Sequence, residues 1–207
     1  MKRALLAALA AMALAASGCG GGDDDSGESP AAGGRDRAML FRFEQVTDFT
    51  TLDGRTLALA DLRGRVVMID FFGTWCPPCR RSMPVLVSLY ERFHGQGLEV
   101  VGLAYEHSPD QDAARRAVEA FRDEFKVPYP LAFGPPALWQ ELQEKAAAQG
   151  VIPTIVLVDK QGIVRDVFEG LPPGHEAVLA DRIERLLAEQ YGPAAEVGSD
   201  GGAPSAN

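Results

Sequence analysis

Histidine and cysteine each occur only three times in 207 residues, and basic side chains are outnumbered 20 to 29 by acidic ones. Three cysteines are too few for a disulfide-stapled scaffold, and too few for a zinc site closed without histidine. A net charge of −9 argues against a polyanionic partner, because nucleic-acid binders neutralise phosphates with basic patches. No apolar run is long enough for a permanent membrane span: the uncharged stretch Ala4 to Ala16 would make roughly 20 Å of helix against a hydrocarbon core of roughly 30 Å. What remains is 46% hydrophobic and 24% charged, the composition of an ordinary globular domain with appendages.

The N-terminus reads as an address. Lys2 and Arg3 precede the apolar stretch, which gives way to Ser17, Gly18 and Cys19, the order of a signal peptide. Cleavage after Gly18 would leave Cys19 first, and Ala16-Ser17-Gly18-Cys19 resembles a bacterial lipobox, with Ala16 where Leu is commoner. Lipidation of Cys19 also accounts for the odd cysteine, which a secreted chain otherwise leaves unexplained. The alternative is an ordinary signal peptide with an incidental thiol. Gly20 to Arg37 carry Gly20-Gly21-Gly22 and Asp23-Asp24-Asp25 without apolar periodicity, so they read as an acidic tether spanning roughly 25 Å as a random coil. The expected division is signal peptide 1–18, lipidated cysteine and linker 19–37, a domain over 38–192, and a disordered tail 193–207.

Within the domain, Thr47 to Leu52 and Arg55 to Leu59 flank the turn-forming pair Asp53-Gly54 and predict a hairpin. Val66 to Phe72 is a near-continuous apolar run interrupted by Asp70, which predicts a strand buried on both faces. Val85, Leu86, Leu89, Tyr90 and Phe93 recur at helical spacing until Gly95 and Gly97. Leu98 to Ala104 is a second buried strand; helices follow around Ala114 to Phe125 and Leu138 to Ala148. Thr154 to Val158 and Ile163 to Phe168 predict strands joined through Gly162, and Leu179 to Leu187 a closing amphipathic helix. That order implies an α/β domain with a mixed sheet, parallel at first and finished by an antiparallel hairpin.

The chemistry gathers at Trp75-Cys76-Pro77-Pro78-Cys79, between a buried strand and a helix. Two cysteines three apart at a helix start can bring their sulfurs together, and the helix terminus favours a thiolate. Cys76, the outer one, is the expected nucleophile and Cys79 the resolving thiol. Half a zinc site is the competing reading, but His94, His107 and His175 are scattered. A purely structural disulfide would close too short a loop to stabilise much. Pro77 and Pro78 have no N–H, so a Cys76 thiolate must rely mainly on the Cys79 backbone and the helix dipole. Trp75 serves either the substrate rim or packing over the motif. Glu106 and His107 follow the second buried strand toward the same end of the sheet and read as solvated loop.

These segments resemble the thioredoxin superfamily, and within it the membrane-anchored TlpA/ResA-type thiol-disulfide oxidoreductases of bacterial envelopes. The marks are Asp53-Gly54-Arg55-Thr56, Leu62-Arg63-Gly64, the run Met68 to Cys79, Pro84, and Gly150-Val151-Ile152-Pro153-Thr154; they span nearly all of Phe49 to Leu187. The resemblance implies a thioredoxin-like fold: a central mixed β-sheet flanked by helices, with an N-terminal β-hairpin extension and a central helical insertion over Asp110 to Gln149. It makes Pro153 a cis-proline facing the cysteines, gives the Ile152 backbone to an extended substrate, and places Trp75, Pro77, Pro78, Ile152 and Pro153 in the substrate site. Asp70 falls six residues before Cys76, as the buried Asp of thioredoxin does, and would be a catalytic carboxylate beneath Cys79 with a raised pKa. The other reading puts Asp70 at a sheet edge with ordinary hydrogen bonds.

The function so implied is disulfide exchange with envelope proteins in the reducing direction, for cytochrome c maturation or copper-site assembly. Its partners would be protein thiols and disulfides, a transmembrane thiol reductase as electron donor, and the membrane through the lipid on Cys19. No cofactor beyond the Cys76–Cys79 disulfide, no metal and no nucleic acid is expected. The alternatives are a copper chaperone on the same fold, which would separate the cysteines by three residues and add a histidine, and a thiol peroxidase, which would have Thr or Ser where Gly73 stands. Lipidation predicts that Cys19→Ser moves the protein from the membrane fraction to the soluble envelope fraction with thiol exchange intact; a variant that still pellets after salt washing contradicts it.

Overall fold

A computed structural model describes residues 42–43, 48–171 and 174–192. The segments read as signal peptide, lipidated Cys19, linker and tail lie outside the described residues. Among the described residues, no helix is long and apolar enough to cross a membrane.

A short hairpin comes first, β1 (Asp48–Thr50) antiparallel to β2 (Thr56–Ala58) around the Asp53-Gly54 turn. After a 3₁₀ turn, β3 (Val66–Phe72) begins the main sheet, and every one of its residues is buried. Helix α1 (Pro77–Phe93) follows, then β4 (Leu98–Ala104), α2 (Gln111–Phe125), β5 (Leu131–Phe133) and α3 (Pro136–Ala146). The chain closes with β6 (Thr154–Val158), β7 (Val164–Glu169) and α4 (His175–Ala188). The sheet order is β5-β4-β3-β6-β7, with β4 parallel to β3 and to β5, and β6 antiparallel to β3 and to β7. The expected α/β mixed sheet is present. The stretch read as a helical insertion also contributes an edge strand, β5, which three residues between Pro130 and Gly134 are too few to announce by alternation.

Side chains alternate across β3 and split the core in two. Val66, Met68 and Phe72 face α1, α2 and α4, packing with Cys79, Met83, Leu86, Phe121 and Ile183; Val67, Ile69 and Phe71 face Leu138 and Leu142 of α3 together with Phe49 and Leu62. Asp70 shares the parity of Met68 and Phe72, so it lies on the α1 side. The sheet's central position rules out the edge reading of Asp70, since β3 is paired on both sides at that residue, to Gly102 and to Ile155.

Three details fix the ends of these elements. Asp110 caps α2 by accepting from the backbone N–H of Asp112 and Ala113. Pro84 sits inside α1 with its ring exposed, leaving the Arg80 carbonyl without the donor of a regular helix. The β6–β7 turn is built on Asp159, a residue 4% exposed whose carboxylate accepts from the N–H of Gln161 and Ile163, each at 2.9 Å, and from Arg165 at 3.1 Å. Asp159→Ala leaves those donors without their partner and is expected to cost about 2–4 kcal/mol; a urea midpoint unchanged from wild type would show that the turn holds without the carboxylate.

Candidate active site

Strand β3 delivers its C-terminal end, Gly73 to Cys76, to the start of α1. Cys76 is the N-cap, Pro77 and Pro78 occupy the first two helical positions, where a missing N–H does no harm, and Cys79 stands one turn in. The two cysteines form a disulfide. The Cys79 N–H points at Cys76 Sγ at 3.2 Å, the donor that two prolines leave to this helix start. Ser82 Oγ donates to the Cys79 carbonyl at 3.0 Å.

Accessibility distinguishes the sulfurs less than the sequence suggests. Cys76 is 3% exposed and Cys79 1%, so the outer cysteine is itself nearly covered. Pro77 and Pro78 are exposed beside it, Ile152 is half-buried, and Pro153 is buried. The Ile152–Pro153 peptide is cis, and the Ile152 carbonyl oxygen lies 3.8 Å from Cys76 Sγ. These residues, drawn from segments 76 positions apart in the chain, converge on one spot.

The loop after β4 contributes more than the solvated residues expected there. Glu106 accepts from the Thr74 N–H at 2.8 Å with one carboxylate oxygen and from the Thr74 hydroxyl at 2.9 Å with the other. The Trp75 indole N–H donates to the Tyr105 carbonyl at 3.0 Å, and its ring stacks on His107 with centroids 4.0 Å apart. Trp75 nevertheless keeps 46% of its surface exposed, so it both packs over the loop and presents a face to solvent. A groove of about 540 Å³ opens alongside, lined by Trp75, Tyr105, Glu106, His107, Trp139 and Ile152. The sequence signal for Glu106 is its place two residues beyond a buried parallel strand, at the end of the sheet where ligands gather; nothing in the sequence identifies Thr74 as its partner.

Asp70 lies 1% exposed on the face that α1 covers, and neither carboxylate oxygen has a hydrogen-bond partner among the described residues. Burial alone pushes its pKa up to about 8. At neutral pH the group is therefore mostly a neutral carboxylic acid.

The AhpC/TSA family model matches residues 41–167. The chain belongs to the AhpC/TSA family. Within it, similarity runs to the thiol-disulfide oxidoreductase ResA of Bacillus anthracis, 33% identical over 123 residues, 58% of this chain and 64% of that protein. ResA of Oceanobacillus iheyensis is 28% identical over 152 residues, 73% of this chain and 70% of that protein. The match thus spans just under two thirds of the length of the first of these relatives. Among solved structures, a putative thiol:disulfide interchange protein DsbE from Chlorobium tepidum superposes with a TM-score of 0.57 at 25% identity, covering 72% of this chain and 99% of that one. A putative thioredoxin from Neisseria meningitidis, with a TM-score of 0.56 at 22% identity over 72% of this chain and 89% of that one, shares the fold. This AhpC/TSA-family chain is therefore thioredoxin-like in architecture and ResA-like in sequence.

A carboxyl group whose pKa is raised in the folded state stays protonated where the unfolded chain would ionise. Its contribution to stability is present below about pH 4 and is lost as pH rises through about 8. The whole loss is on the order of 5 kcal/mol. Asp70→Asn is expected to flatten the fall in unfolding midpoint between pH 5 and pH 9; parallel curves for variant and wild type would mean that Asp70 ionises at no cost.

Proposed function

We propose that this protein is a thiol-disulfide oxidoreductase acting on protein substrates in the cell envelope. The observation that carries the reading is the Cys76–Cys79 disulfide at the N-terminus of α1, with the Cys79 N–H on Cys76 Sγ and the Ile152 carbonyl 3.8 Å away. The names of its ResA and DsbE relatives support the same chemistry.

In the reducing direction the dithiol form starts the cycle. The Cys76 thiolate attacks one sulfur of a substrate disulfide; the Cys76–substrate bond forms, the substrate S–S bond breaks, and one substrate thiolate leaves. Cys79 loses its proton to the Asp70 carboxylate and attacks Cys76 Sγ, which restores the internal disulfide and releases the second substrate thiolate. Two electrons pass from the protein to the substrate, and a transmembrane thiol reductase returns them. The N–H of Cys79 and the positive end of α1 hold negative charge on Cys76 at the start of the cycle and when it leaves. The half-covered Ile152 backbone and the exposed Trp75, Pro77 and Pro78 form the rim against which an extended substrate segment lies.

The direction and setting rest on the resemblance to ResA-type proteins: reduction of disulfides between apocytochrome or copper-site cysteines, by a protein held at the outer side of a membrane through lipid on Cys19. A peroxidase reading has no support at the position three before Cys76. A Cβ on Gly73 would come within 2.7 Å of Trp75 Nε1 and 3.2 Å of Ile152 Cδ1, so the Trp75 ring occupies the place of a Thr or Ser side chain.

Cys79→Ser is expected to accumulate mixed disulfides at Cys76, because the first exchange proceeds and the thiol that releases the partner is missing, whereas Cys76→Ser should accumulate few. Identification of the trapped proteins by mass spectrometry reads the substrate class directly. Apocytochromes or copper proteins support the assembly role, a broad set of secreted proteins replaces it with general oxidation or isomerisation, and predominant trapping by Cys76→Ser reverses the assigned roles.

A further inference from the structure

The buried cluster that contains Cys79 holds a polar side chain, that of Tyr129, which the exchange steps leave without a task. Asp70 stands across the β3–β4 ladder from Gly102. A Cβ on Gly102 would run into the Leu131 side chain and would lie 3.6 Å from Tyr129 Cε2. The room that a side chain at 102 would fill beside Asp70 is thus taken by Leu131 and the Tyr129 ring. The segment Pro128-Tyr129-Pro130 is held there by a hydrogen bond from the Gly102 N–H to the Pro130 carbonyl at 2.9 Å.

Tyr129 is 4% exposed, and its hydroxyl donates to Met83 Sδ at 3.0 Å. A thioether is a weak acceptor. The stronger acceptor class nearby is the Asp70 carboxyl, opposite Gly102 in the ladder, whose two oxygens have no partner among the described residues. Burial raises the Tyr129 pKa well above its ordinary value, and the nearby Asp70 charge raises it further, so the phenol keeps its proton throughout. Among the described residues, the cluster on this side of the sheet is apolar: Cys79 and Met83 of α1, Val118 and Phe121 of α2, and Leu179 and Ile183 of α4 belong to it, and the ladder partners of Asp70 are Gly102 and Ile155. Arg80 of α1 is directed to the Phe121 and Phe125 rings and to Glu124.

We propose that Tyr129 is the positioning residue of Asp70: when the carboxyl ionises, the Tyr129 hydroxyl exchanges Met83 Sδ for the carboxylate and donates to it, and it returns to the sulfur when the proton comes back. A hydrogen bond to an ionised acceptor is roughly twice as strong as a neutral one, so the exchange favours the anion that must form before Cys79 can be deprotonated. Met83 is the resting acceptor that keeps the phenol satisfied in the meantime. The catalytic consequence rests on the assignment of Asp70 as the base for Cys79; the contact itself does not.

The test separates the two. The ionisation of Asp70 is followed in the full chain by the infrared carboxylic-acid band, with Asp70→Asn to identify the band, in wild type, Tyr129→Phe and Met83→Leu. Mixed-disulfide resolution rates are measured over the same pH range in a parallel series. Tyr129→Phe keeps the buried ring and is expected to move the Asp70 titration upward by about one pH unit. Met83→Leu removes the competing acceptor and should move it downward. The pH profile of resolution should follow both shifts, with about a tenfold slower rate at pH 7 in Tyr129→Phe and no effect of that substitution in the Asp70→Asn background. Shifts in the titration with unmoved resolution rates keep Tyr129 as the donor to Asp70 and remove Asp70 from the exchange step. An Asp70 titration that is the same in wild type, Tyr129→Phe and Met83→Leu overturns the proposal.

Discussion

Complete burial of β3, along both edges and on both faces, is the constraint from which the site takes its form. A strand with parallel β4 on one side and antiparallel β6 on the other cannot shift register without moving an entire hydrophobic set, so the turn at its end is placed firmly. That turn becomes the N-cap of α1 and sets Cys76 Sγ against the Ile152 carbonyl of the loop before β6. The same burial deprives Asp70 of water and raises its pKa. A titrating carboxyl and a fixed cysteine pair are two results of one packing arrangement.

A second layer of order comes from the loop after β4. Glu106 grips Thr74 by backbone and side chain, while the Tyr105 carbonyl and the His107 ring hold Trp75. The residues just before Cys76 are therefore tied to residues some 30 positions away, and the wall of the adjoining groove is joined to the turn that carries Cys76. Helix α1 offers the Cys76 sulfur one backbone donor, the Cys79 N–H, because Pro77 and Pro78 have none.

The sequence is most informative where one local pattern decides the structure. Val66 to Phe72 and Leu98 to Ala104 are apolar throughout and become β3 and β4 with the expected bounds; Trp75 to Cys79 states its chemistry by residue type and spacing. It is least informative where partners are remote. Strand β5 is recognised through its pairing with β4, not through its own three residues. Glu106 is an ordinary loop carboxylate until Thr74 is folded against it. Asp70 is an anomaly in the sequence, but its neighbours Gly102 and Tyr129 acquire meaning from the ladder that sets them beside it.

The near-complete covering of both sulfurs bears on how the protein behaves among many thiols. A disulfide whose outer sulfur belongs to a residue 3% exposed is shielded from chance collision with small free thiols, since the rate of exchange depends on access to the sulfur attacked. Under the proposed function, a partner docked on the exposed Trp75, Pro77 and Pro78 and the half-buried Ile152 would bring its own cysteine up to Cys76. Selectivity of this kind would be kinetic insulation: electrons would enter from partners that fit the rim, even where a stray thiol is an equally good reductant.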